Sequence, residues 1–197
     1  WSLQSCDNEP TKEVWLDEFG QDSCYVQDWG MLEVNRSVVH TPLTVNGVVY
    51  ERGLGAHSIS RLLYDLDGKA VSISGLAGAD DKNLFAGKLQ FKILGDKKEL
   101  WKSGVMQKGD PVKEFNVNLK GVDKVLLLVE ECGDGIMYDH ADWLNVKITT
   151  RGDVKPVPAW AKPVAKEKYI LTPPAPESPV INNPLVYGAR PGNPFLW

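Results

Sequence analysis

Leu43-Thr44-Val45-Asn46-Gly47-Val48-Val49-Tyr50 reads as a β-hairpin. Asn-Gly readily takes the positive φ angles that a two-residue hairpin turn needs, and the flanking residues are β-branched or aromatic. Working outward, Leu89, Phe91 and Ile93 alternate with Lys88, Gln90 and Lys92, and Phe115, Val117 and Leu119 repeat the pattern. Such alternation places apolar groups on one face of a strand and polar groups on the other. Val125-Leu126-Leu127-Leu128-Val129 is instead continuously apolar, as expected of a central strand covered on both faces. Further strands are expected at 61–66, 70–76 and 143–149, with those above spanning 88–94, 115–119 and 124–130. Asp67-Gly68, Gly95-Asp96, Lys108-Gly109-Asp110 and Gly121 punctuate them. With no convincing helix-period segment, the fold class expected from about Trp15 to Thr150 is an all-β sandwich.

The composition changes after Arg151. Ten of the 13 prolines fall between 156 and 194, and proline removes a backbone donor and favours extended geometry. This stretch is therefore read as a proline-rich connector and not as central sheet. It also carries Trp160, Tyr169, Tyr187, Phe195 and Trp197, too apolar for a freely solvated linker, so parts of it are expected to dock on the sandwich or to begin another domain. The organisation expected is a tether at 1–14, a β-sandwich module at 15–150 and a connector at 151–197.

The 22 basic and 26 acidic residues give a formal net charge of -4 without a basic stripe, which argues against nucleic acid as a partner. No apolar run approaches the roughly 18 residues needed to span a bilayer. Cys6, Cys24 and Cys132 form neither a disulfide framework nor a metal clamp. Leu3-Gln4-Ser5-Cys6-Asp7 loosely matches a lipobox, which would make Cys6 a lipid attachment point of an exported lipoprotein; the alternative is an ordinary cysteine, free or paired with Cys24.

Two polar constellations stand out. Tyr50 to Ser58 contains Gly53 and Gly55, read as allowing a tight turn that leaves Arg52 and His57 beside a strand end. Gly133 to Trp143 packs Asp134, Asp139 and Asp142, His140, Tyr138 and Trp143 into one inter-strand loop, and Ala79-Asp80-Asp81-Lys82-Asn83 adds an acidic turn. Oxygens in such loops can bind a hard cation, or they can serve a sugar beside a stacking ring. Each also has a plainer reading. His57 can bond a backbone carbonyl, Asp139 and Asp142 can cap turns, and Trp143 can be core. No Ser, His and Asp sit at the spacing of a nucleophilic triad, and no HExxH or CxxC supports zinc.

At these residues the sequence resembles the NPCBM family of carbohydrate-binding modules, found at the ends of α-galactosidases and related glycosidases. The match runs from Trp15-Leu16-Asp17 through Asp28-Trp29-Gly30, Leu43 to Gly47 and Tyr50 to His57, then Gly78-Ala79-Asp80-Asp81, Phe91-Lys92-Ile93, Ser103, Gly133-Asp134-Gly135 and Asp139 to Trp143. The ordered pair of Gly53-Leu54-Gly55-Ala56-His57 and Asp139-His140-Ala141-Asp142-Trp143 gives it specificity. The resemblance implies a jelly-roll β-sandwich similar to galactose-binding domains, often with a structural calcium, whose relatives bind galactose-containing glycans. In the tail, Thr172 to Pro176, Ser178 to Asn182 and Tyr187 to Leu196 resemble the segment that joins this module to an immunoglobulin-like domain and a catalytic barrel in some bacterial α-galactosidases.

The function so implied is a non-catalytic module, not itself an enzyme, that targets a secreted or surface-attached bacterial glycosidase to galactosyl glycans. Its location would be extracellular, periplasmic or at the cell surface. A (β/α)₈ barrel takes about 250 residues, so the catalytic domain is expected elsewhere in the parent protein, as a partner of this module. The residues expected to bind carbohydrate are Arg52, His57, Asp81, Asp139, His140, Trp143 and Trp29. Calcium is expected to be bound by oxygens from Asp134, Asp139 or neighbouring carbonyls. The alternative is a structural or interaction spacer that binds no sugar.

Overall fold

The computed structural model describes residues 9–23, 25–85 and 87–157. Fourteen strands organise them: β1 (Lys12–Trp15), β2 (Tyr25–Gln27), β3 (Glu33–Val34), β4 (Leu43–Val45), β5 (Val48–Tyr50), β6 (Gly53–His57), β7 (Ser60–Asp65), β8 (Ala70–Ala79), β9 (Leu89–Gly95), β10 (Lys98–Met106), β11 (Lys113–Asn118), β12 (Lys124–Glu131), β13 (His140–Thr150) and β14 (Lys155–Pro156). One sheet has the order β11-β8-β13-β6-β3, with β1 on the far part of β13; the other runs β10-β9-β12-β7-β14, with β2 also on β7. Each ladder between the described strands is antiparallel. The two sheets face one another as a jelly-roll β-sandwich.

The alternating segments fold as their pattern requires. Leu89, Phe91 and Ile93 of β9 point into the core with Phe115 and Val117 of β11. Val125, Leu127 and Val129 of β12 join them, whereas Leu126 and Leu128 face outward and are still buried. Leu126 packs there with Leu63 and Val157, which explains why this strand is apolar on both faces. In β13, a register shift between Leu144 and Lys147, with Asn145 at φ 49°, breaks the two-residue period, so that Trp143, Val146 and Ile148 all reach the core.

Two sequence readings are corrected here. Gly53 and Gly55 do not make a tight turn; they lie inside β6, which is buried along its whole length. Their missing side chains allow close approach, since a Cβ at Gly53 would stand 2.5 Å from the Trp143 carbonyl and one at Gly55 would strike the backbone of Arg36 and Ser37. The segment 133–143 is not all loop, because β13 already starts at His140.

The 43–50 hairpin forms, but off the sandwich: β4 and β5 pair only with each other. Leu43 and Val45 cover Leu144 on the outer face of the first sheet. At the other end, Pro156 lies on an edge strand, with Lys155 opposite Asp65, where its lack of a donor is tolerated. Strand pairing thus runs from Lys12 to Pro156, past both bounds of 15–150. Cys6, Cys24 and the connector from residue 158 onward lie outside the described residues. Among the described residues, no helix is long and apolar enough to cross a membrane.

Candidate functional site

His57 ends β6 and His140 begins β13, and the two are direct partners across the antiparallel ladder. Partners of that kind share a face, and their ring centroids lie 5.5 Å apart. The face is the one opposite Ala141 and Trp143, because successive side chains alternate. Trp29, on the segment after β2, closes over both imidazoles. Its ring is stacked on His140 at 5.8 Å with an interplanar angle of 9°, and tilted on His57 at 4.9 Å. Trp29 nevertheless remains 47% exposed. Gln27 fixes the arrangement, since its Nε2 donates to the Trp29 carbonyl at 2.7 Å and its Oε1 accepts from the His57 amide at 3.1 Å.

The row of rings continues. Tyr138 lies 6.4 Å from His140, and Phe85 meets Tyr138 edge-on at 5.0 Å. The loop bearing Phe85 is tied to β13 through Asn83, whose Nδ2 donates to the His140 carbonyl at 3.1 Å and whose Oδ1 accepts from the His140 amide at 2.9 Å.

Burial sets the protonation states. The His57 Nδ1–H donates to the Ser58 carbonyl at 2.6 Å, which leaves Nε2 as an acceptor. Desolvation lowers the His57 pKa to about 4, and it also lowers that of His140, so both imidazoles are neutral at neutral pH. Asp139 accepts from the Ser58 hydroxyl at 2.5 Å, yet burial raises its pKa to about 6. Asp28, beside Trp29, is also raised by burial, with Arg61 pulling the other way. The arrangement thus sets a half-exposed indole ring over two neutral imidazoles that are themselves buried, His57 at 3% and His140 at 7% exposure. The open face of the indole can receive the C–H face of a sugar.

Of the residues expected to bind carbohydrate, Trp29, His57 and His140 form one cluster, and Asp139 lies behind it. The other three are placed elsewhere. Trp143 is 0% exposed and packs edge-on against Phe91 and Phe115 at 4.9 and 5.7 Å, so no sugar stacks on it. It is three residues from His140 in one strand, which turns it to the other face. Arg52 stands at the opposite end of β6 from His57. There it pairs with Asp17 at 2.9 Å and Glu18 at 3.1 Å, with its guanidinium 4.3 Å from the Trp15 ring centroid. Asp81 caps the hairpin turn, accepting from the amides of Asn46 at 3.0 Å and Gly47 at 2.7 Å. Phe85 and Tyr138, which extend the row of rings, are not among the residues expected from sequence to bind carbohydrate; the signal for an open apolar patch there is two large side chains, Leu84 and Phe85, directly after an acidic turn.

For a cation, no group of three or more His, Cys, Asp and Glu side chains is gathered among the described residues. Asp134 is exposed and accepts from the Lys88 amide at 3.2 Å. Asp139 differs, because its Oδ1 is buried without a hydrogen-bond partner. Beside it Gly87 leaves a cradle: a Cβ there would lie 2.5 Å from Asp139 Oδ1, 2.8 Å from the Tyr138 carbonyl and 2.9 Å from that of Met137. Three oxygens converging this way, one an orphaned carboxylate oxygen, are the donor type that suits a hard cation.

The antiparallel sandwich has the fold of a carbohydrate-binding module, a non-catalytic accessory domain. Residues 12–149 match the family model described as the NPCBM/NEW2 domain, and the chain belongs to that family. It is 29% identical over 130 residues to alpha-1,3-galactosidase B of Akkermansia muciniphila, an alignment covering 64% of this chain and 16% of that protein. The chain thus spans about one sixth of the length of that relative. Among solved structures, it is similar to the CBM51 module from Clostridium perfringens GH95 in complex with methyl-galactose. The TM-score is 0.63 at 24% identity, covering 70% of this chain and 99% of that one. It is also similar to the M60 catalytic domain with CBM51-1 and CBM51-2 domains from Clostridium perfringens ZmpB. There the TM-score is 0.64 at 28% identity, covering 72% of this chain and 15% of the other.

Proposed function

We propose that this module holds an α-galactosidase-like glycosidase at galactose-bearing glycans outside the cell, and that the sugar docks on Trp29, His57 and His140. The observation that carries this reading is the half-exposed Trp29 ring held parallel to His140 and beside His57, with His57 Nε2 left as an acceptor. The apolar face of a galactose ring would lie on Trp29, and its hydroxyls would donate to the imidazoles. Support comes from the neighbour crystallised with methyl-galactose and from the relative named as a galactosidase. One sugar ring buries little surface, so the expected affinity is on the order of 0.1–1 mM, raised in use by multivalency.

Calcium belongs to this proposal through Asp139 and neighbouring carbonyls. Asp139 Oδ1 and the Met137 and Tyr138 carbonyls would hold it, with Asp134 left outside. When bound, the ion would neutralise a buried carboxylate and fix the loop that carries Tyr138.

The test is an NMR titration of labelled protein with galactose, N-acetylgalactosamine and glucose. Saturable shifts for the galactosyl sugars at the Trp29 indole and at His57 and His140 are expected. No shifts at tens of millimolar sugar, well above the affinities expected for one ring, would favour the spacer reading instead.

A further inference from the structure

Large apolar side chains are seldom left in water without a use when they gather in one place. Phe85 is 67% exposed, and its chain neighbour Leu84 is equally open, as is Met137 beside Tyr138. The Phe85 and Tyr138 rings contact each other at 5.0 Å, and Tyr138 in turn lies 6.4 Å from His140. The patch is therefore continuous with the Trp29 cluster, through a ring that touches both.

Nor is it a loose loop tip. Asn83 bonds both backbone groups of His140, the Asp80 amide donates to the His140 carbonyl at 3.0 Å, and Gly87 packs on Asp139, Tyr138 and Met137. The base of the loop is thus pinned to His140, beneath the proposed first sugar position, and Phe85 follows two residues after the Asn83 anchor. An open aromatic pair adjoining a sugar site presents the surface that the C–H face of a second pyranose requires.

We propose that Phe85 and Tyr138 form a second sugar subsite, so that the module reads a galactose-terminated di- or oligosaccharide and not a lone galactose. This rests on the reading of Trp29, His57 and His140 as the first subsite. The second ring of the glycan lies against Phe85, and Tyr138 spans the two positions.

Calorimetric titration of the whole chain with methyl galactoside and a panel of galactose-terminated di- and trisaccharides of differing linkage tests this. At least one oligosaccharide is expected to bind about tenfold more tightly than methyl galactoside, the range that one added aromatic contact supplies. Phe85→Ala should bring that ligand down to the methyl galactoside level without changing methyl galactoside binding or Tm, and Phe85→Tyr should retain the gain. The proposal is overturned if no oligosaccharide exceeds methyl galactoside, or if Phe85→Ala weakens both ligands alike or neither. In those cases methyl galactoside still binds, and the first-subsite reading stands. Failure of every sugar, methyl galactoside included, removes the first subsite and this one with it.

Discussion

Trp29 and His140 come from opposite ends of the sandwich's chain and meet with parallel rings, 5.8 Å between centroids. Trp143, three residues further along β13, has no exposure at all. The two tryptophans therefore separate binding from stability. We expect Trp29→Ala to weaken galactoside binding by at least about tenfold with little change in Tm, since a half-exposed ring contributes little to the core. Trp143→Ala should cost roughly 3–5 kcal/mol, the usual loss for a large buried aromatic. Thermal melts and titrations of both variants check this. Equal loss of binding for the two among folded protein would contradict it.

His57 makes the site's pH response unlike that of a surface imidazole. Its pKa falls to about 4 in the folded protein, mainly through desolvation. A depressed histidine pKa means that the unfolded chain binds the extra proton first. The stabilising contribution is therefore full above about 6.5 and is lost as pH falls through about 4. Between those values the ring stays a neutral acceptor, so in an Asp139→Asn background, where the carboxyl raised to about 6 no longer titrates, galactoside affinity should be flat from pH 7 to pH 5. An imidazole of ordinary pKa would be only about 3% neutral at pH 5, weakening binding roughly thirtyfold. Titrations across that range would show such a drop if His57 were exposed.

How far this site could be read from sequence follows from the same residues. Strands with an unbroken period, such as Leu89 to Ile93, were legible because the period itself records which side is buried. Strand β6 was not, because Gly53 and Gly55 carry no side chain to show a pattern; their reason lies in the backbones of residues 36–37 and 143, far away in sequence. Strand β10 was hidden by the register shifts at Glu99/Trp101 and Lys102/Val105, which break its alternation. His57 and His140 were legible as suspects, but their meeting depends on a ladder between distant strands. Reading Trp143 as a platform failed for a local reason: with β13 begun at His140, alternation already sends Trp143 inward.

Asp142 is a carboxyl in a place built for a neutral group. It is wholly buried on the outer face of the first sheet, opposite Gly55 and Gly78, and its carboxyl faces that of Asp80, which it can hydrogen-bond only when one of the two holds a proton. Burial first, and Asp80 second, hold its pKa well above the ordinary range. A carboxyl raised in this way binds its proton more tightly folded than unfolded. Wild-type stability therefore declines as pH rises above about 3.8, until the folded pKa is reached. Asp142→Asn removes that cost while keeping the shape. It should raise Tm at neutral pH, with the advantage shrinking towards pH 4. A Tm difference that is absent, reversed or independent of pH would show that Asp142 is ionised in the fold.

The unpartnered Oδ1 of Asp139, with the Met137 and Tyr138 carbonyls beside Gly87, is where a bound cation would act on stability. A cation bound by the native state alone stabilises it by RT ln(1 + [L]/Kd), about 2.7 kcal/mol at a hundred times Kd. Chelation should accordingly lower Tm, calcium should restore it, and Asp139→Asn should melt at one temperature with or without calcium. Asp134→Asn should still respond to calcium, since that carboxylate is occupied at the Lys88 amide. Melts of the three proteins in chelator and in calcium decide the matter. If wild type is unmoved by either, Asp139 keeps its charge state through burial and Ser58 alone; if Asp134→Asn also loses the response, the ion sits nearer the exposed loop than the Gly87 cradle.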